Sequence, residues 1–211
     1  FDDEDIKCDF YRNGEQLIFR MVPQIGEHHY FVATNRGGRW DVDCNWEENK
    51  HRSMLRFSMW MAFAIAIAAK GGIPIHSSVI VHSGKAALFL GESGTGKSTH
   101  TRLWRENIEG AALLNDDSPI LRAEGGKVRA YGSPWSGKTP CYKNESYPVA
   151  AIVRLSQAPH NKMIPLSKIR GFSAIYPSCP PAFAHDEGLS DHICAIISSI
   201  LKMVPVYHLE C

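Results

Sequence analysis

Apolar and polar residues alternate along Gln16–Val22, His29–Ala33 and Arg39–Trp46, and this period of two predicts half-buried strands. Asn13-Gly14, Gly26 and Gly37-Gly38 punctuate them, so a small antiparallel meander is expected. The pattern then lengthens into a helix from about Lys50 to Lys70, closed by Gly71-Gly72 and Pro74. Within it, Phe57–Ala69 is the longest apolar run, broken by Ser58 and flanked by Arg56 and Lys70. As a helix that run covers roughly 20 Å. This falls short of a hydrocarbon core of ~30 Å, so it reads as a buried helix.

Further on, Ser77–His82 and the almost wholly apolar Ala86–Leu90 predict two strands joined by the turn Ser83-Gly84-Lys85. A glycine-rich loop, Gly91–Gly96, leads into a helix through about Glu106, with Arg102 and Arg105 on its polar side. Ala111–Leu114 predicts a buried strand ending in Asn115-Asp116-Asp117, where Pro119 prevents an early helix. Lys127–Tyr131 and Val149–Leu155 predict strands, Leu189–Met203 a helix, and the terminal VPVYHLEC a last strand. That strand abuts Cys211, so the natural chain is expected to continue past the given residues.

Composition narrows the class. A chain of 211 residues with 44% apolar and 21% charged positions can bury one sizeable core and is not a disordered chain. The expected division is a β-rich N-terminal extension, 1–49, packed on a main domain, 50–211, as one compact unit. A net charge of +1 gives no reason to expect nucleic acid or a membrane surface as the main partner. The six cysteines form no C-x-x-C pair and read as reduced cytoplasmic thiols. The acidic opening FDDED carries no secretory signal. His28-His29, His185 and His192 lack zinc-ligand spacing.

The chemistry lies in Gly91-Glu92-Ser93-Gly94-Thr95-Gly96-Lys97-Ser98, a complete G-x-x-x-x-G-K-[ST] between a predicted strand and a predicted helix. Glycines allow the tight turn that aims successive backbone N–H groups at phosphate oxygens. The helix start adds its positive end. Lys97 is expected to reach the β and γ phosphates, Ser98 to ligate magnesium, and Thr99 to complete the nucleotide-binding segment. Asp116 and Asp117, at the end of the next strand, supply adjacent carboxylates, one for the metal and one for an acceptor hydroxyl. A solvated turn is the plainer account of such a pair, and the loop upstream outweighs it. His76 titrates near neutrality and opens the hairpin that runs into the loop, although a lone histidine there more often holds a strand edge.

The segment IHSSVIVHSGKAALFLGESGTGKST, followed by LLNDDSPIL, resembles the catalytic domain of HPr kinase/phosphorylase, in the fold group of ATP-dependent phosphoenolpyruvate carboxykinase. The likeness covers about 75–121 and rests on a histidine-led hairpin, the loop and the Asp-Asp pair in order. It implies an α/β protein with a mixed sheet, rather than a parallel doubly wound one. It also implies ATP and Mg²⁺ as the nucleotide and metal, and a homo-oligomer. By the same resemblance, Asp116 would take the proton of an acceptor hydroxyl with His76 assisting. Asp117 and Ser98 would hold magnesium. Ser118-Pro119 follows the acid pair where that family tends to carry another acid, and its downstream glycine-rich signature is absent, so phosphorolysis is not implied.

The expected function is therefore transfer of a γ-phosphate to a hydroxyl of a protein or peptide serine or a small molecule. The alternative is a non-catalytic nucleotide-binding regulatory module. A third reading, a carboxykinase acting on a carboxylic substrate, is disfavoured because this short chain shows no arginine cluster of the kind an oxaloacetate-like substrate would need. The segment Gly132–Lys138, with its tryptophan and lysine, is expected either to close over phosphates and acceptor or to be a plain surface loop. Lys138, Lys143, Arg154 and Arg170 are candidate charge helpers, solvated arginines being the plainer account of the last two.

Overall fold

The computed structural model describes residues 6–14, 16–23, 29–36, 38–137 and 139–211. The sequence readings at Gly26, His28, Gly37, Lys138 and the FDDED opening lie outside these residues. The chain divides into two compact units: Phe1–Lys70 with Ala182–Ser190, and Gly71–Pro181 with Asp191–Cys211. The fold class is mixed α+β, with an antiparallel sheet in the first unit and a mixed sheet in the second.

The first unit holds the meander β1 (Ile6–Asn13), β2 (Gln16–Pro23), β3 (Phe31–Arg36) and β4 (Arg39–Cys44), paired in chain order. The alternation in β2 buries Leu17, Phe19 and Met21, and β3 adds Phe31 and Ala33. Each of the buried Leu, Phe and Met side chains contributes about 1.5–3 kcal/mol. Helix α1 (Glu48–Ala68) belongs to this unit and contributes Met61, Ala64 and Ile65 to the core. Its first turn is kinked at His51, whose Nδ1 accepts from the Glu47 backbone N–H at 3.2 Å. Buried Ser58 returns its hydroxyl to the Met54 carbonyl at 2.9 Å, which is how a polar residue sits within the apolar run. Among the described residues no helix is long and apolar enough to cross a membrane.

In the second unit the nine-stranded sheet runs β5 (Gly72–Pro74), β9 (Ile120–Glu124), β10 (Lys127–Tyr131), β11 (Ser146–Ser156), β7 (Lys85–Leu90), β6 (Ser77–His82), β8 (Ala112–Asn115). Strand β13 (Val206–Glu210) also pairs with β11, in parallel, and carries β12 (Lys162–Pro165) antiparallel. Besides β7, two strands pair with β11: β10 meets Ser146–Pro148, whereas β13 meets Ile152–Ser156. The sheet branches there.

Strand β6 is antiparallel to both β7 and β8, so β7 and β8 point the same way. Their carboxyl ends and the amino end of β6 therefore meet at one edge of the sheet, where ligands of α/β sheets commonly bind. Helix α2 (Lys97–Asn107) crosses the face made by Ile80, Phe89, Leu113, Val153 and Leu155, with Trp104 packed against it. Helices α3 (Lys168–Ile175) and α4 (Glu187–Met203) are the remaining α-helices among the described residues.

Candidate active site

The loop forms because three of its glycines adopt backbone angles that other residues avoid: φ is 151° at Gly91, 84° at Gly94 and 99° at Gly96. At Gly91 a Cβ would also sit 2.5 Å from the Thr95 hydroxyl oxygen. Thr95 in turn donates its hydroxyl, at 2.9 Å, and its N–H, at 3.2 Å, to the Glu92 carbonyl, closing the turn. Gly96 caps α2 without any side-chain acceptor, and no acid occupies the first turn. The first N–H groups of α2 are left for an external anion. Ser93, Ser98 and Thr99 are exposed beside them.

Lys97 folds over the loop, its Nζ donating to the Gly91 carbonyl at 2.7 Å and the Glu92 carbonyl at 3.0 Å. Burial pushes its pKa down, and Asp117 and Asp116 push it back up. The same groups act on His76. Its pKa is lowered by burial and by Lys97, against Asp117 and Asp116, although part of the ring reaches solvent. The structure thus brings Lys97, His76, Asp116 and Asp117 within electrostatic reach of one another.

Asparagine explains how the acid pair is presented. The Asn115 Oδ1 accepts from the Asp117 N–H at 3.0 Å and the Ser118 N–H at 2.9 Å, turning the chain immediately after β8. Its Nδ2 donates to the Trp135 carbonyl at 2.8 Å and so ties the Gly132–Gly137 segment to the strand end. The Ser77 N–H donates to the Asp117 carbonyl at 3.1 Å, and the His76 N–H to the Ser178 carbonyl at 2.7 Å. Asp116 is only 6% exposed. Its Oδ1 accepts from Ser78 at 2.7 Å, and its Oδ2 is buried without a partner among the described residues. A buried carboxylate oxygen with nothing to bond is costly, and it suits a cation or a donor hydroxyl brought by a ligand.

The sequence reading passed over three residues that the fold brings here. Ser78 is a polar position ahead of the apolar run Val79–Val81, which is a legible signal, whereas Thr101 lies in a polar helix sequence that does not single it out. Asn115 read only as part of a turn. Arg154, one candidate charge helper, stands 3.6 Å from the exposed Glu92 carboxylate and donates to the Ala174 carbonyl at 3.4 Å. Arg170 stays exposed at the start of α3, and Lys143 is half-buried near Cys141. His29 lies in the first unit with its ring 4.2 Å from that of His51, and His192 contacts the Gly72 carbonyl.

Fold and edge together define a mixed α+β protein that presents a glycine-rich strand-to-helix turn, a lysine and two carboxylates on one sheet edge. The chain belongs to the family described as SynChlorMet cassette protein ScmC, whose model matches residues 42–211. No curated protein matches it. Among solved structures, the HPr(Ser) kinase/phosphatase from Coxiella burnetii is similar at 16% identity over 40% of this chain and 59% of that one, with a TM-score of 0.33. At that TM-score the likeness says nothing of fold or chemistry.

Proposed function

We propose that this protein is a magnesium- and ATP-dependent kinase with an HPr-kinase-like phosphate-loop core, transferring a γ-phosphate to a hydroxyl group. The observation that carries the reading is the unpartnered, buried Oδ2 of Asp116, set at the end of β8 within electrostatic reach of Lys97. The antiparallel hairpin β6–β7, led by His76, supports the same reading, because it runs directly into the loop.

In this mechanism the loop N–H groups from Gly91 to Ser98 and the start of α2 cradle the phosphates. Lys97 exchanges its two carbonyl partners for β and γ oxygens. Ser98 and Asp117 would hold magnesium, which supplies charge neutralisation and orientation of the phosphates and takes one or two protein oxygens beside phosphate and water. Asp116 accepts the acceptor's proton at Oδ2. The acceptor O–H bond breaks as its oxygen bonds to the γ-phosphorus, and the bond from that phosphorus to the β-γ bridging oxygen breaks. His76, whose pKa is lowered by burial and by Lys97, stands near the acid pair and can take up that proton.

The test is transfer from γ-labelled ATP in the presence of host-cell extract, using wild type, Lys97→Ala and Asp116→Asn. The expected result is label on an acceptor with wild type only, and nucleotide binding lost in Lys97→Ala but kept in Asp116→Asn. Transfer that persists in Asp116→Asn sinks the assignment of the base. A wild type that binds ATP and transfers to nothing is a regulatory module instead.

A further inference from the structure

We propose that Ser78 and Thr101 are positioning residues for Asp116, an inference that rests on the kinase reading. Their hydroxyls form a buried relay that engages one carboxylate oxygen and leaves the other as the working atom. Ser78 pairs with Phe89 across β6 and β7, so it shares the sheet face covered by α2. There the Ser78 Oγ stands 2.7 Å from Asp116 Oδ1 and 2.9 Å from Thr101 Oγ1, and both hydroxyl residues are 1% exposed.

The direction of the relay follows from hydrogen counting. An ionised carboxylate only accepts, so the single Ser78 hydrogen goes to Asp116 Oδ1. Ser78 must then accept, and the Thr101 hydrogen goes to Ser78. The 3.2 Å contact from Thr101 to the Ser98 carbonyl shares that hydrogen and is the longer of the two. A continuous line therefore runs from the first turn of α2, where Ser98 sits, through Thr101 and Ser78 to Asp116. It passes over a sheet face that is otherwise apolar, and it fixes which carboxylate oxygen is engaged. With Oδ1 engaged, Oδ2 alone is free to meet the acceptor hydroxyl.

The experiment compares Ser78→Ala, Thr101→Val and Thr101→Ser for kcat, nucleotide KM and thermal midpoint. Thr101→Val keeps the shape and removes the hydroxyl; Thr101→Ser keeps the hydroxyl. Ser78→Ala is expected to lower kcat by about 30-fold, with KM for ATP within about twofold, since only orientation of the base is lost. Thr101→Val is expected to lower kcat by about fivefold, because Ser78 still donates, and Thr101→Ser to restore it. An unchanged kcat in Ser78→Ala, a loss confined to nucleotide KM, or a Thr101→Ser as impaired as Thr101→Val overturns the proposal.

If the wild type transfers no phosphate, the kinase reading fails and the relay is decided by crystal structures of wild type and Ser78→Ala. A carboxylate of Asp116 that turns away in the variant supports the relay. One that keeps its place overturns it.

Discussion

A Cβ placed on Gly137 would sit 2.5 Å from the carbonyl oxygen of Asp116, closer than two such atoms can approach. The atom in the way is backbone, so one chain segment must move to admit a side chain. Gly137→Ala is expected to displace either Asp116, the proposed base, or the segment that follows Gly132. Misplacement of a reacting group by about 1 Å can cost up to 100-fold in rate. Phosphate transfer by Gly137→Ala, measured at a temperature where the variant is folded, checks this. Wild-type turnover would show that the contact relaxes without moving Asp116.

Asn115 makes both halves of its amide count, Oδ1 toward the Asp117 and Ser118 N–H groups and Nδ2 toward Trp135. Asn115→Asp keeps the acceptor, loses the donor, and buries a second charge next to Asp116. A destabilisation on the order of 3 kcal/mol is expected. Urea unfolding should show a larger deficit at pH 8 than at pH 5, since the added carboxyl is neutral more of the time in acid.

His100 packs its ring 4.5 Å from Phe89 and accepts the Trp104 indole N–H at Nε2, 3.3 Å away, which requires the neutral ring. Burial holds its pKa below the usual value. The unfolded chain then binds the proton first, so stability is complete above about pH 6.5 and declines as pH falls toward the folded value. His76 has the same sign. His100→Gln should flatten, though not abolish, the loss of unfolding free energy between pH 7.5 and 5.5. An unaltered slope would remove His100 from the account.

Within the first unit, Asp186 receives a two-pronged bond from Arg12, at 2.9 and 2.5 Å, and its Oδ1 also accepts the Leu189 N–H at 2.9 Å at the start of α4. The Arg12 bond holds the Asp186 carboxyl below the usual range. Its contribution is therefore present above the unfolded value of about 3.9 and is lost as pH falls through the folded one. Asp186→Ala is expected to cost about 1 kcal/mol through loss of the cap, with little more from the half-exposed ion pair. Asp186→Asn should recover most of it, and thermal unfolding at pH 7 distinguishes the two.

Some elements escaped the sequence pattern for identifiable reasons. Strand β5 is three residues ending in Pro74, which reads as a helix stop until β9 supplies its partner. Helix α3 contains Gly171, ordinarily a breaker; a Cβ there would lie 2.8 Å from Leu201 Cδ2, so the glycine admits that side chain where it stands. Strand β1 carries charged residues on its exposed positions and is fixed by its full register with β2.

By itself the sequence determined the glycine-rich turn, the hairpin before it and the helix after it. Glycine torsions, a two-residue turn and an apolar strand are local properties that the neighbouring residues impose. Tertiary structure alone decided that β6 lies between β7 and β8, with Val79 opposite Asn115 and Ser78 opposite Phe89. That register sets Ser78 between Asp116 and Thr101 and leaves Oδ2 unpartnered. Hydrogen bonds between residues 23 and 38 positions apart depend on strand pairing, and no local periodicity encodes that pairing.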